Sequence, residues 1–167
     1  MIPIISVVGR SNSGKTTYLE KLIAECKQRG YKVAVIKHHH QDFEIDKPGK
    51  DTWRHAKAGA DTVCLVSPHK MALIKKYDQE LSLDEVVDFI DNVDIIFTEG
   101  YKQETKCKIE IYRQAAGHAP LGVKRELLAV VSDTFLYEGI PHFSLDDTAS
   151  MADFLEAVIV MNETAKA

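Results

Sequence analysis

The chain has 167 residues, 45% of them hydrophobic and 28% charged, and its 21 basic and 25 acidic residues leave a net charge of −4. This describes one globular domain, residues 1–167, able to bury roughly 70% of its unfolded surface; the acidic balance disfavours a protein that coats nucleic acid. Cys26, Cys64 and Cys107 are far apart and form no CxxC pair, which favours reduced thiols in a cytoplasmic protein over a zinc ribbon or disulfide frame.

No apolar run approaches the ~20 residues a membrane span requires. The N-terminus, MIPIISVVGR, has neither a basic lead nor a small-residue cleavage site, so residues 2–8 are expected to form a buried central strand rather than a signal peptide. From Lys15 the period changes. Leu19, Leu22, Ile23 and Cys26 fall at i, i+3, i+4 and i+7, the stripe of an amphipathic helix, with Gly30 as its stop. Residues 31–36 (YKVAVI) predict a second strand.

Residues 61–66 and 71–77 predict a hairpin around Ser67, Pro68 and His69. Ser82 and Glu85 form a capping box for a helix whose buried face is Leu83, Val86, Val87 and Ile90. Buried strands follow at 93–97 and 127–131, with a partly exposed strand around Ile109 and Ile111 between them. A last helix starts near Asp146 or Asp147, with Met151, Phe154, Leu155, Val158 and Ile159 as its core stripe. Strands alternating with helices imply a three-layer α/β domain, with a mainly parallel sheet and helices on both faces.

The stretch GRSNSGKTT, from Gly9 through Arg10, Ser11, Asn12, Ser13, Gly14, Lys15 and Thr16 to Thr17, fits G-x-x-x-x-G-K-[ST] at every defined position. Average residue usage puts a chance match at about one in a hundred or less. The stretch also lies between a predicted strand and a predicted helix, as a P-loop must. Its glycines let successive N–H groups turn inward around phosphate oxygens, and the helix beginning at Lys15 adds its positive end. Lys15 is expected to reach the β- and γ-phosphates, and the Thr16 hydroxyl to ligate Mg²⁺.

Such a site needs further carboxylates. Glu99, in DIIFTEG, is expected just past the carboxyl end of its strand, where ligands gather in open α/β sheets, and so acts on the metal directly or through water. Asp94, at the strand's start, is on the wrong side. His38, His39 and His40 follow the second strand and leave three readings open: a structural zinc, solvated loop residues, or part of a nucleotide-responsive switch. In the switch, Asp42 or Asp46 binds Mg²⁺ through water or orients the attacking water. Asp46 is preferred, because the tight turn DKPGKD holds it in place.

GRSNSGKTT, KHHHQDFEIDKPGKD, WRHAKAGA, EGYK and AVVSD together resemble the MobB family, molybdopterin-guanine dinucleotide biosynthesis protein B, from residue 1 to about residue 160. The P-loop is shared widely. The segment carrying His39, Asp42, Phe43, Asp46, Pro48, Gly49, Lys50 and Asp51, followed by a short basic helix, is far more selective. The resemblance implies a homodimeric GTP-binding protein with weak Mg²⁺-dependent hydrolysis. Its partners would be the molybdenum cofactor guanylyltransferase, which joins GMP to molybdopterin, and molybdopterin itself. It places Gly9 to Thr17 at the nucleotide, Arg10 against phosphate, Asp46 and Glu99 near the metal, and the sheet edge around Lys102 toward pterin or partner.

No N-K-x-D guanine-reading motif occurs, so GTP over ATP rests on the resemblance; Ser132-Asp133 is the nearest substitute. Two other classes compete. A small-molecule kinase would need several lid arginines, and only Arg54 and Arg113 are free to serve. A metallochaperone-type GTPase would bind metal at His38, His39 and His40.

Overall fold

The computed structural model describes residues 2–122 and 124–164. In chain order its elements are β1 (Ile4–Val8), α1 (Lys15–Gln28), β2 (Val33–Lys37), α2 (Asp51–Lys57), β3 (Thr62–Ser67), β4 (Lys70–Lys75), α3 (Leu83–Val87), β5 (Ile95–Glu99), β6 (Cys107–Tyr112), β7 (Leu127–Ser132), β8 (His142–Phe143) and α4 (Thr148–Thr164), with 3-10 turns at Gln114–Ala116 and Lys124–Glu126. They divide into two compact units. One contains the residues up to His38 and those from Asp88 on; the other is His39–Val87.

The first unit is built on a six-stranded sheet in the order β2-β5-β1-β6-β7-β8, with every pairing parallel. Residues of alternate sides along each strand explain its cover. Ile5, Val7, Ile95, Phe97, Ile109, Ile111, Ala129 and Val131 face Tyr18, Leu19, Leu22 and Cys26 of α1 and Met151, Ala152 and Leu155 of α4. Both predicted helical stripes therefore point into one core. Full burial of a side chain the size of Leu22 or Phe97 contributes roughly 1.5–3 kcal/mol. Gly30, at φ +93°, ends α1 where only a left-handed residue turns the chain back toward β2.

The predicted partial exposure of the strand around Ile109 is overturned. β6 lies between β1 and β7, and Lys108 and Glu110 are 0% and 1% exposed. Their charges suggest a solvated face, but each is matched by a specific partner. Lys108 Nζ donates to Glu126 Oε2 at 2.8 Å and to the carbonyl oxygen of Glu104. Glu110 accepts the Leu121 N–H at 2.6 Å and the Tyr137 hydroxyl at 3.0 Å. Buried charge survives where such bonds replace water. The short strand β8 has no counterpart among the predicted elements; its two residues pair with Val130 and Val131, and Phe143 packs on Phe154 of α4.

In the second unit β3 and β4 form the predicted hairpin, turning at Pro68 and His69, with Ser67 facing Lys70 in register. The capping box is present: Glu85 Oε2 accepts from the Ser82 N–H at 2.8 Å and from its hydroxyl at 2.7 Å. The helix it starts is shorter than predicted. α3 ends at Val87, so Ile90 lies outside it and only Leu83 of the expected face is fully buried.

Candidate nucleotide site

All strands of the large sheet run the same way, so their carboxyl ends lie along one edge. From β1 the chain crosses through α1 to β2 on one side; from β6 it proceeds to β7 on the other. The crevice between the carboxyl ends of β1 and β6 is therefore the place where open α/β sheets take ligands. The stretch Gly9 to Thr17 begins there, directly after Val8.

Its backbone needs glycine. A Cβ on Gly9 would lie 2.4 Å from the Ile111 carbonyl oxygen and 2.7 Å from Ser13 Oγ. Gly14 adopts φ 90° and ψ 16° at the N-cap of α1, and Asn12 also has positive φ. The helix start carries no side-chain cap and no acidic residue in its first turn. Its positive end is thus left without a carboxylate from its own first turn. Ser13 is 2% exposed, and its Oγ has no hydrogen-bond partner among the described residues. An inward-facing hydroxyl of this kind fits the oxygen-rich surface of a phosphate chain.

Lys15 Nζ donates to the Arg10 carbonyl oxygen at 2.7 Å, folding its ammonium back over the loop. Burial pushes its pKa down from the ordinary lysine value; the charge of Glu99 opposes that, while those of Lys102 and Lys37 add to it. A bound polyanion would relieve this strain on the charged form. The Thr16 hydroxyl donates to Glu99 Oε1 at 2.9 Å, and Lys37 Nζ lies 3.7 Å from Glu99 Oε2. Glu99 is the last residue of β5 rather than just beyond it, and its side chain is 13% exposed. The predicted metal-binding hydroxyl and carboxylate are therefore in contact, a pair suited to a hard divalent cation. Asp94 is at the opposite end of β5, where it accepts the Lys32 N–H at 2.6 Å.

His38 belongs to this unit. Its N–H donates to the Glu99 carbonyl at 2.9 Å, its ring stacks 4.5 Å from that of Tyr101, and its Cβ would lie 3.0 Å from a Cβ at Gly100. It thereby buttresses the backbone that carries Glu99. His39 and His40 belong to the second unit, and His39 Nδ1 lies 2.9 Å from the Gln41 carbonyl. Among the described residues no group of three His, Cys, Asp or Glu is placed to hold a metal ion, at the histidine run or elsewhere.

Asp46 is also in the second unit. Its Oδ1 accepts the Lys47 N–H at 2.5 Å and its Oδ2 the Thr52 hydroxyl at 2.8 Å, which ties the DKPGKD turn to the first residues of α2. Those bonds hold its carboxyl below the ordinary aspartate value, the Lys47 N–H being the larger cause. Asp42 Oδ1 accepts the Phe43 N–H at 3.0 Å. Asp133 Oδ1 accepts the Gln114 N–H at 2.8 Å at the carboxyl end of β7.

Of the basic residues around the loop, sequence reading named Arg10, Lys102 and Arg113 but missed Lys37 and His118. Arg113 follows β6 and places its guanidinium 3.6 Å from where a Cβ on Gly14 would stand. Lys37 pairs with Glu99. Lys102 and His118 join Arg10, Ser11, Gly117 and Ala119 around a cleft of 470 Å³. Of these, Lys37 and Arg113 had a signal in sequence, since each is at or just past the end of a predicted strand.

The family model for MobB, described as molybdopterin guanine dinucleotide synthesis protein B, matches residues 4–133. This chain belongs to the MobB family. It is 37% identical over 161 residues to the molybdopterin-guanine dinucleotide biosynthesis adapter protein of Escherichia coli, covering 93% of this chain and 92% of that one. It is 36% identical over 157 residues to the protein of the same name from Haemophilus influenzae, covering 93% and 88%. Among solved structures, Bacillus subtilis MobB superposes with a TM-score of 0.74 at 26% identity, covering 93% of this chain and 97% of that one. A crystal structure of molybdopterin-guanine biosynthesis protein B superposes with a TM-score of 0.73 at 29% identity. The α/β P-loop NTPase-like fold is that of the family.

Proposed function

We propose that this chain is a GTP-binding adapter of molybdopterin guanine dinucleotide biosynthesis, with slow Mg²⁺-dependent GTPase activity, which assists the guanylyltransferase that joins GMP to molybdopterin. Membership of MobB and relatives named as adapter proteins of that biosynthesis support the pathway. The observation that carries the nucleotide reading is the contact of Thr16 with Glu99 at the start of α1, beside an uncapped helix end and a partly buried lysine ammonium.

In this reading the backbone N–H groups from Gly9 to Thr17 surround the phosphate chain, with Arg10 on its outer rim. Lys15 leaves the Arg10 carbonyl and turns its ammonium toward the β- and γ-phosphates. Thr16 and Glu99 hold Mg²⁺, which when bound would draw charge from the phosphate oxygens. Lys37 fixes the second oxygen of Glu99, and His38 braces its backbone. Asp46 remains assigned to the metal or the attacking water, a role separate from its bonds within the turn. Asp133 keeps one carboxylate oxygen for the guanine N–H groups, its other being engaged by Gln114.

A homodimer in the cytoplasm completes the reading. The hairpin exposes Leu65, Val66, Met71 and Leu73 at 55%, 68%, 66% and 49%, a cluster suited to burial against a second copy. A thermal-shift panel of GTP, GDP and ATP, each with and without Mg²⁺, tests the function directly. GTP with Mg²⁺ should stabilise most; equal shifts for GTP and ATP would remove the guanine assignment and favour a nonselective site or a kinase.

A further inference from the structure

β1 is flanked by β5 on one side and by β6 on the other, so its glycine-rich loop has two neighbouring strand ends. The β5 end supplies Glu99; the β6 end supplies Arg113. Ile109, Ile111 and Arg113 alternate along extended backbone, with φ −134° and ψ 122° at Arg113 itself. Ile109 and Ile111 face α1 in the core, so the next residue on that side emerges at the start of the same helix. There Arg113 Nη2 and Nε lie 3.6 and 3.8 Å from where a Cβ on Gly14 would stand. Gly14 is the N-cap of α1, and its missing side chain leaves open the space that the guanidinium approaches.

The backbone of Arg113 is fixed on both sides. Tyr112 pairs with Ser132 of β7, the Gln114 N–H donates to Asp133 Oδ1 at 2.8 Å, and the Ala116 N–H donates to the Arg113 carbonyl at 3.0 Å. In charge the position is unfavourable. The start of α1 is positive and has no side-chain cap, so it repels a cation. Among the described residues no carboxylate lies within ion-pair distance of the Arg113 guanidinium. Its field reaches Asp146, yet that carboxyl is held below its ordinary value first by the hydrogen bond and charge of Lys21, 2.7 Å away, and only last by Arg113. An anion lying between helix end and guanidinium would offset the repulsion from both sides. In a loop of this type the backbone cradles the α- and β-phosphates, while the lysine reaches the β- and γ-phosphates.

We propose that Arg113 binds the α- and β-phosphates of the nucleotide from the β6 side, across the loop from Thr16 and Glu99. The inference rests on the nucleotide reading and deepens it, adding a binding residue that lies outside the glycine-rich motif. Because the contact does not involve the γ-phosphate, it strengthens the binding of GTP and GDP alike. The diphosphate product is therefore retained by the same contact that holds the triphosphate.

Calorimetric titration of GTP and of GDP, each with Mg²⁺, into full-length wild type, Arg113→Gln and Arg113→Lys tests this. Arg113→Gln should weaken both nucleotides by the same factor, about tenfold, the size of one lost charge-assisted contact. Arg113→Lys should recover part of the loss, since it keeps the charge without the planar fork. Without nucleotide, Arg113→Gln should melt no lower than wild type, because it takes a cation away from the positive helix end. A loss confined to GTP would direct the guanidinium to the γ-phosphate and overturn the proposal, as would unchanged affinity for both nucleotides. A lower melting point without nucleotide, with Arg113→Lys binding no better than Arg113→Gln, would make the residue structural and overturn it likewise. Wild type that bound neither nucleotide would defeat the nucleotide reading itself, a result distinguishable from failure at Arg113 alone.

Discussion

The Thr16 hydroxyl donates to Glu99 Oε1 at 2.9 Å, joining the first turn of α1 to the last residue of β5 across 83 positions of sequence. These elements are brought together because β5 pairs with β1 in register, Val7 opposite Glu99. Glu99→Gln keeps the hydrogen bond and removes the charge. It should cut the Mg²⁺-dependent gain in GTP affinity by about 10- to 100-fold while leaving Mg²⁺-free binding nearly unchanged. Calorimetric titration at several Mg²⁺ concentrations measures both.

Gly9 has no room for a side chain. Gly9→Ala should destabilise the protein by roughly 1–3 kcal/mol, because the Ile111 carbonyl it would strike is backbone of the central sheet. Urea unfolding reads the cost, and a midpoint equal to wild type would mean the loop leaves β1 along another path.

The buried Glu110 carboxylate accepts both the Leu121 N–H and the Tyr137 hydroxyl, one on each oxygen. Glu110→Ala should therefore cost roughly 2–5 kcal/mol, and Glu110→Gln less, since an amide oxygen still accepts. Thermal unfolding of the two variants should show that order.

The part of the fold that was legible in sequence was the part governed by apolar periodicity. Leu19, Leu22 and Cys26 on α1, and Met151 and Leu155 on α4, are buried as their spacing requires. β6 was misjudged because Lys108 and Glu110 alternate with apolar residues as on a solvated strand. Their partners, Glu126 and Tyr137, come from distant segments that no local pattern connects to them. The same limit applies at the candidate site. A contiguous motif marks Gly9 to Thr17, and a strand end marks Glu99. The positions of Arg113, Lys102 and His118 around the loop depend on how the chain after β5 and β6 returns over the sheet edge.

Asp46 offers a pH test. Its folded pKa is depressed below 3.8, so its contribution to stability is present above that value and is lost as pH falls through the folded pKa. Asp46→Asn should flatten the fall in urea midpoint on the acid side. If Asp46 also serves the metal, the same variant should weaken the Mg²⁺ dependence of GTP binding at neutral pH. An altered acid profile with wild-type Mg²⁺ dependence would assign the carboxylate to its bonds with Lys47 and Thr52 alone.

The central claim, that the Gly9 to Thr17 loop receives a nucleotide's phosphates, is tested most directly by calorimetric titration of GTP with Mg²⁺ into wild type and Lys15→Ala. Binding of one nucleotide per chain to wild type, with the heat lost in the variant, is the predicted result. No heat with wild type, or identical heats from the two proteins, would contradict it.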